Sequence, residues 1–296
     1  MKKIIVIAGP TASGKTDLAI QLAQHFNTEI LSADSRQCYQ ELGVAVAKPN
    51  EAQLQSVKHH FINSHSIYDD VSAGEYERFG LAVLDEIFTK NDTAILVGGT
   101  GLYIKAICEG IDEMPAIDET IKKEVEADYQ KNGLSWLQNE VKNTDPDFYA
   151  VGETENPMRL MRALTFKLST QKSILAYRNS TIKKRPFEIE KYVIDIEKAA
   201  LYKNINDRVE HMLTQGLVTE AEALYSKKHL KNLQTVGYTE LFSYFDGNCD
   251  LPFAIDKIKQ HTRNYAKRQV TWFKNQGHYT LCSAKEIAKI LMHLED

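Results

Sequence analysis

The chain has 296 residues, of which 43% are hydrophobic and 26% charged, a composition typical of one large globular domain or of one domain that carries an insertion. Its formal net charge is −4, which excludes a global positive field for nucleic acid, so any such site has to rest on local basic clusters. The four widely spaced cysteines indicate neither a zinc site nor a disulfide framework and favour reduced thiols in a cytoplasmic protein. No stretch approaches the roughly 20 apolar residues of a membrane span.

The first element is a short β-branched run over residues 3–8, which predicts a buried strand. Residues 15–26 place Leu18, Leu22 and Phe26 on one face, which predicts a helix. The segment between them, GPTASGKT at 9–16, matches the phosphate-loop pattern G-x-x-x-x-G-K-[ST] in the strand–turn–helix context that this loop requires.

This phosphate loop predicts a polyphosphate ligand without saying which one. Its glycines let backbone N–H groups converge on phosphate oxygens, and the following helix adds its positive N-terminal end. Lys15 supplies a point charge and Thr16 a hydroxyl for Mg²⁺. The predicted diphosphate-binding residues in this loop are Gly9, Pro10, Thr11, Ala12, Ser13, Gly14, Lys15 and Thr16.

Two further strands follow, at 28–37 and 93–103, with a helix over 72–88 that has Ser72 as N-cap and Glu75 three residues later. Strands that alternate with helices predict an α/β fold, a P-loop NTPase-like parallel sheet flanked by helices. Ligands of such sheets bind beyond the carboxyl ends of the strands, which here are residues 9–16, 33–37 and 98–101.

The pattern changes after about residue 112. Residues 117–178 show several helical patterns and no convincing strand, and Asn156-Pro157 is a typical helix start. A strand returns at about 189–196. We therefore predict a P-loop core formed by 1–112 and 189–296, with C-terminal helices, and an all-helical insertion domain at 113–188.

The arrangement of acidic residues bears on the reaction. Phosphoryl transfer normally also uses an aspartate at the end of a neighbouring apolar strand, to hold the metal ion. The run 93–97 is followed instead by Gly98-Gly99-Thr100-Gly101, which contains no acid. The only acid that the sequence places at a comparable strand end is Asp34. A ligand that is strictly a diphosphate would explain this pattern.

A series of motifs, in order along residues 4 to about 275, resembles the bacterial tRNA dimethylallyltransferases, also called tRNA isopentenyltransferases, of the IPP transferase family. The motifs that carry the resemblance are GPTASGKT (9–16), DSRQ-x-Y (34–39), A-K-P (47–49), HH (59–60), SAG (72–74), GGTGLY (98–103), N-P-x-R-L-x-R-A-L (156–164), VGY (236–238) and TR-x-YAKRQ-x-TWF (262–273).

The resemblance implies an activity and its partners. Members of this family transfer a dimethylallyl group from dimethylallyl diphosphate to N6 of the adenosine 3′ of the anticodon in tRNA, and they release diphosphate. The phosphate loop then holds a diphosphate and not ATP, with Lys15, Thr16 and Mg²⁺ stabilising the leaving charge. The expected partners are the tRNA anticodon stem-loop and dimethylallyl diphosphate, and the protein is expected to be a cytoplasmic monomer.

The resemblance also implies roles for individual residues. Asp34 matches the aspartate expected to take the N6 proton, with a Mg²⁺ ligand or a turn cap as alternatives. Thr100 is expected near the reacting amine or the diphosphate, or else as a helix cap. Arg208 matches an arginine linked to the leaving diphosphate, whereas Asn204 replaces a second one. The residues expected to contact tRNA are Asp34, Ser35, Arg36, Gln37, Thr100, Met158, Arg159, Arg162, Gly237, Tyr238, Arg263 and Lys267.

The last long helical pattern, 257–274, is basic. A helical wheel places Lys259, Arg263, Lys267 and Lys274 on one arc, which predicts either a phosphate-binding face or a solvated one. The aromatic residues on the other side, Tyr265, Trp272 and Phe273, are predicted to pack in the core. For Arg159 and Arg162, a surface salt-bridge pair is the alternative to tRNA contact.

Two rival functions remain open at this point. A small-molecule or nucleotide kinase would use the helical insertion as a lid and the two arginines to clamp a γ-phosphate. The missing carboxylate after residues 93–97 is evidence against a kinase. A non-catalytic RNA-binding protein on a P-loop scaffold is the other rival, and the intact GKT sequence and Asp34 are evidence against it.

Overall fold

A computed structural model describes residues 2–178, 181–276 and 278–295. The chain divides into two compact units. The first comprises Met1–Gly110 with Lys184–Asp296, and the second is Ile111–Lys183. The sequence had placed the insertion at 113–188. No helix within the described ranges has both the length and the apolar character that crossing a membrane requires.

The first unit is built on a parallel sheet of six described strands. In chain order these are β1 (Lys3–Ala8), β2 (Ile30–Ala33), β3 (His59–His60), β4 (Thr93–Gly98), β5 (Glu188–Ile194) and β6 (Thr280–Cys282). Their order across the sheet is β3-β2-β4-β1-β5-β6, and every pairing is parallel. The predicted α/β class is therefore confirmed.

Helices cover both faces of this sheet. Successive side chains of a strand point to opposite faces, so Ile4 and Val6 enter one apolar cluster while Ile5 and Ile7 enter the other. This is why β1 reads as a continuous apolar run. The helices of the first unit are α1 (Lys15–His25), α2 (Glu51–Ser56), α3 (Ala73–Ile87) and α4 (Gly101–Glu109), followed after the second unit by α8 (Lys198–Thr214), α9 (Leu217–Leu224), α10 (Tyr238–Phe245), α11 (Leu251–Asn275) and α12 (Ile287–Glu295).

All regular secondary structure described in the second unit is helical. This unit contains α5 (Glu119–Thr144), α6 (Pro146–Val151), α7 (Pro157–Thr170) and a short 3-10 helix at Ile174–Tyr177. Helices α5 and α7 pack around Leu137, Val141, Leu160 and Leu164. The Asn156 side chain accepts a hydrogen bond from Arg159 N with Pro157 at the first helical position, so the predicted helix start is confirmed.

Two expectations for the core need adjustment. The third strand ends at Gly98 and not at 103, because residues from Gly101 onward form α4. A Cβ at Gly98 would lie 2.2 Å from the Ala33 carbonyl oxygen, so the glycine permits the close approach of β2 and β4. The expectation that Asp34 is the only acid at a strand end is wrong, since Asp195 directly follows β5.

Candidate active site

The predicted phosphate loop and two other loops meet at one edge of the sheet. Ala8 pairs with Gly98, and Gly98 pairs with Ala33, so the chain leaves β1, β4 and β2 at adjacent points. The segments that follow carry Gly9, Thr100 and Asp34. This edge lies beyond the carboxyl ends of parallel strands, where α/β proteins bind their ligands.

The loop after β1 is shaped as an anion cradle. Gly14 lies in the left-handed region (φ 85°) and caps α1 without any side-chain hydrogen bond, so the first amides of the helix remain available. The Ser13 hydroxyl is buried with no partner among the described residues. Lys15 Nζ donates to the Pro10 carbonyl at 3.2 Å. Burial lowers the pKa of Lys15 to about 8. The negative charge of Asp34 partly opposes this decrease, and the positive charge of Arg208 adds to it.

Helix α8 holds the cradle from one side. Arg208 donates from Nη1 to Thr11 Oγ1 at 3.0 Å, and burial lowers its pKa against the attraction of Asp34 and Asp17. Asn204, one turn earlier, donates from Nδ2 to the Ala12 carbonyl at 3.2 Å. The residue that departs from the family pattern therefore supports the loop backbone in this chain.

Helix α11 holds the cradle from another side through Gln269, which sequence reasoning missed. Gln269 is buried, accepts from Thr11 N at 2.9 Å and donates to the Gly99 carbonyl at 2.9 Å. It thereby joins the loop after β1 to the loop after β4. Its position inside the KRQ motif was the only sequence signal for this role.

Asp34 opens a tight turn after β2. Its Oδ1 accepts from Arg36 N at 2.9 Å and, more weakly, from Gln37 N at 3.4 Å. Its Oδ2 makes no hydrogen bond with any residue in the described ranges. Thr100 Oγ1 accepts from Ser35 N at 3.1 Å, which ties this turn to the loop after β4. Asp34 thus has one fixed oxygen and one that remains available.

Lys15 and Asp34 line a single cavity of about 490 Å³ within the first unit, which we call the main cavity. Tyr265, predicted to pack in the core, lines this cavity and is 36% exposed, so that prediction is wrong for this residue. Its hydroxyl interacts with Thr100, and burial together with Asp34 raises the pKa of Tyr265 to about 12. The other polar and charged residues of the wall are Thr11, Ser35, Arg36, Arg208, Gln234, Thr235, Thr239, Glu240, His261, Thr262, Asn264, Arg268 and Gln269.

The segment Ala45–Ala47 forms an apolar part of the wall and is held from both sides. Gln37 donates from Nε2 to the Val46 and Ala47 carbonyls, at 3.3 and 3.0 Å. Glu220 on α9 accepts from Val44 N at 2.7 Å and Ala45 N at 3.0 Å. In this conformation the Gln37 amide supports the wall rather than presenting its N–H groups to the cavity.

The two residues of the VGY motif that were predicted to contact tRNA occupy different environments. Tyr238 is fully buried and donates its hydroxyl to Glu220 at 2.7 Å, and burial raises its pKa. Gly237 lines the main cavity with φ 103°. Arg36 also lines the cavity and donates from Nη1 to Asn232 Oδ1 at 3.3 Å.

The basic arc of α11 is only partly available to a ligand. Arg263 donates to Asn206 Oδ1 at 2.7 Å and lies over the ring of Tyr202. Lys259 is paired with Glu210. Lys267 is exposed and lines a second cavity, of about 630 Å³, together with Pro10 and Asp195. Asp195 is not among the residues that line the main cavity.

The three residues of the insertion that were predicted to contact tRNA lie on α7 of the second unit. Met158 is 65% exposed, and Arg159 is paired with Glu153. Arg162 donates to Met114 Sδ at 3.5 Å, and burial together with the nearby Arg178 lowers its pKa. Arg162 therefore has no carboxylate partner among the described contacts.

The described residues contain no group of three or more histidine, cysteine or acidic side chains that would hold a metal ion. The Thr16 hydroxyl has no hydrogen-bond partner in the described ranges. Mg²⁺ binds to oxygen and commonly takes one or two protein ligands together with phosphate oxygens and water. The residues present thus fit a Mg²⁺ ion that arrives with a diphosphate.

Comparison with known proteins places this geometry in a family. A family model described as IPP transferase matches residues 37–276. The chain is 46% identical over 280 residues to a tRNA dimethylallyltransferase of Flavobacterium johnsoniae, covering 93% of this chain and 91% of that protein. This chain belongs to the IPP transferase family.

Further IPP transferase relatives extend over nearly the whole chain. Identity is 40% with tRNA dimethylallyltransferase 1 of Bacteroides thetaiotaomicron, covering 99% of this chain and 96% of that protein. A crystal structure of the full-length tRNA isopentenylpyrophosphate transferase of Bacillus halodurans has a TM-score of 0.74 at 31% identity, covering 100% of this chain and 96% of that chain. A eukaryotic dimethylallyltransferase acting on tRNA shares the fold, with a TM-score of 0.78 at 24% identity.

Proposed function

We propose that this IPP transferase transfers the dimethylallyl group of dimethylallyl diphosphate to N6 of the adenosine 3′ of the anticodon in tRNA. One observation carries the proposal. A carboxylate with an available oxygen, Asp34, lines the same cavity as the phosphate-loop lysine and Arg208. A proton acceptor and an anion cradle are thus combined in one cavity. The other acidic side chain of its wall, Glu240, accepts a hydrogen bond from Gly237 N, and Asp195 lines the second cavity.

The reaction assigns each of these groups a task. The allylic carbon–oxygen bond breaks as the adenine N6 lone pair forms the new carbon–nitrogen bond. The leaving diphosphate takes the electron pair and is stabilised by Lys15, Arg208 and the loop amides. The N6 proton passes to Asp34 Oδ2, because Oδ1 is already occupied by backbone N–H groups.

The surrounding residues orient the reactants. Thr100, in the loop after β4, contacts the turn that Asp34 opens, and Tyr265 of α11 contacts Thr100. Both side chains position the adenosine. When bound, Mg²⁺ neutralises charge on the diphosphate, and the Thr16 hydroxyl would hold it. The target base has to leave its stack to enter the cavity, which costs least in a loop such as the anticodon loop.

Incubation with unmodified tRNA and labelled dimethylallyl diphosphate, followed by nucleoside analysis, tests the function. We expect the label on N6 of one adenosine next to the anticodon. The kinase alternative predicts ATP turnover and no prenyl adduct. Size-exclusion chromatography of the same preparation tests the proposed monomer.

The insertion is proposed to bind the anticodon stem-loop through α7, and Arg162 offers a sharp test. Arg162→Ala should weaken tRNA binding and reduce the slope of log affinity against log salt by about 1, because each neutralised phosphate releases counterions. The exposed Lys267 on α11 should behave in the same way. Affinities measured between 50 and 200 mM salt check both variants.

Lys203→Ala is the matched control for this salt series, because Lys203 is exposed and already paired with Asp207 one turn away. We expect it to retain the slope of the unsubstituted protein. A slope that Arg162→Ala leaves unchanged would remove this arginine from the interface.

A further inference from the structure

A histidine–carboxylate pair lies in the wall of the main cavity, outside the groups assigned to the reaction. His261 Nδ1 and Glu240 Oε1 are 2.5 Å apart, joining α11 to α10. Both residues line the cavity. The His261 side chain is 46% exposed, whereas that of Glu240 is only 5% exposed. The imidazole is therefore accessible from the cavity, while the carboxylate behind it is enclosed.

Glu240 is fixed by its other contacts. Its Oε2 accepts from Gly237 N at 2.8 Å and from Thr239 Oγ1 at 3.0 Å. An ionised carboxylate only accepts hydrogen bonds, so the hydrogen in the 2.5 Å contact belongs to Nδ1 of His261. This arrangement sets the orientation of the ring and its tautomer. The remaining nitrogen, Nε2, has no partner among the described contacts.

The charge of the cavity wall that contains this pair favours an anionic ligand. Two guanidinium groups of the wall, on Arg36 and Arg268, are permanently charged. Neither makes an ion pair with a carboxylate within the described part of the chain. The titratable and charged side chains that share the cavity with His261, from α1, α8, α10, α11 and the loop after β2, are Lys15, Asp34, Arg36, Arg208, Glu240, Tyr265 and Arg268.

We infer that His261 is an RNA-binding residue of this site and that its Nε2 donates a hydrogen bond to a backbone phosphate of the segment that carries the target adenosine. The inference rests on the proposed function, because it takes the ligand of the main cavity to be RNA. Glu240 is a positioning residue, since it holds the ring and keeps Nδ1 protonated. A phosphodiester fits the site because it is anionic and accepts hydrogen bonds from both histidine and arginine.

This contact makes a specific demand on the ring. With Nδ1–H directed to Glu240, Nε2 donates only when the ring is cationic. A permanent cation at this position should therefore replace the histidine, whereas a neutral amide should weaken RNA binding.

The test is the binding of an unmodified anticodon stem-loop RNA at a single pH and constant ionic strength, without prenyl diphosphate. Fluorescence anisotropy should show about a five- to tenfold loss of affinity for His261→Gln, which preserves a hydrogen bond to Glu240 but carries no charge.

Two further variants sharpen this test. His211→Gln removes an exposed histidine on α8 outside the cavity and should retain the affinity of the unsubstituted protein. His261→Lys supplies a permanent cation and should bind as tightly as the unsubstituted protein. Tight binding by this variant separates a phosphate contact from a purely structural role of the histidine.

The outcomes distinguish this inference from the function on which it rests. A protein that binds no RNA would contradict the proposed function and this inference together. RNA binding that His261→Gln leaves unchanged, or that His261→Lys weakens as much as His261→Gln does, would overturn only the role of His261.

Discussion

Asp34→Asn is expected to lower the rate of dimethylallyl transfer by about 10² to 10⁴, the range that a positioned general base contributes. The amide retains an oxygen for the N–H groups of Arg36 and Gln37, so the turn after β2 should keep its shape. The substituted residue no longer accepts the N6 proton. Affinity for tRNA should therefore change by less than about twofold.

Single-turnover rates with labelled dimethylallyl diphosphate, measured together with tRNA affinity, provide the test. Asp195→Asn is the matched control, because Asp195 also follows a strand of the same sheet but lines the second cavity. Its rate should stay near that of the unsubstituted protein. If Asp34→Asn lost rate and tRNA affinity to the same degree, Asp34 would be a structural residue.

Lys15→Met is expected to weaken binding of dimethylallyl diphosphate by about 10- to 200-fold, in keeping with the roughly 1.5–3 kcal/mol of a charge-assisted hydrogen bond. Binding of tRNA should remain within about twofold. The free protein should become more stable by a few degrees, because Lys15 is a cation held in a site where burial disfavours its charge. Methionine has a similar length and carries no charge.

The pH dependence of stability supplies an independent readout. Burial lowers the pKa of Lys15 from 10.5 to about 8, so between these values the unfolded chain binds more protons than the folded chain. Folding stability then rises with pH across this window, relative to a variant without the group. Lys15→Met should lack this increment.

Calorimetric titration with the diphosphate and thermal unfolding at pH 7 and 10 check both parts of this prediction. Lys90→Met replaces an exposed lysine near a single glutamate and serves as the control. Diphosphate affinity that survives in Lys15→Met would show that the loop after β1 does not hold the leaving group.

The anion cradle and the sheet around it follow from local sequence. GPTASGKT lies between an apolar β-branched run and an amphipathic helix pattern, and each signal reports the conformation of neighbouring residues. The capping pair Ser72–Glu75 and the helix start at Asn156-Pro157 are local in the same sense, and the structure confirms both. The order of motifs along the chain indicated the family, which the comparisons then established.

The surroundings of the reacting atoms were decided by tertiary structure. A helical wheel separates the two sides of α11, yet it does not indicate which residues border a cavity, so Tyr265 was misplaced. Asp195 was missed because the sequence does not show which loops lie beside the end of a strand.

Long-range hydrogen bonds set the remaining roles. Gln269 reaches residues more than 160 positions away, and His261 meets a carboxylate 21 positions earlier in the chain. The sequence by itself determined the cradle and the family, because short segments fold by their own periodicity and turn chemistry. Only the packing of α8, α10 and α11 around the carboxyl edge of the sheet determined which side chains surround the ligand, because those contacts join residues that no local pattern connects.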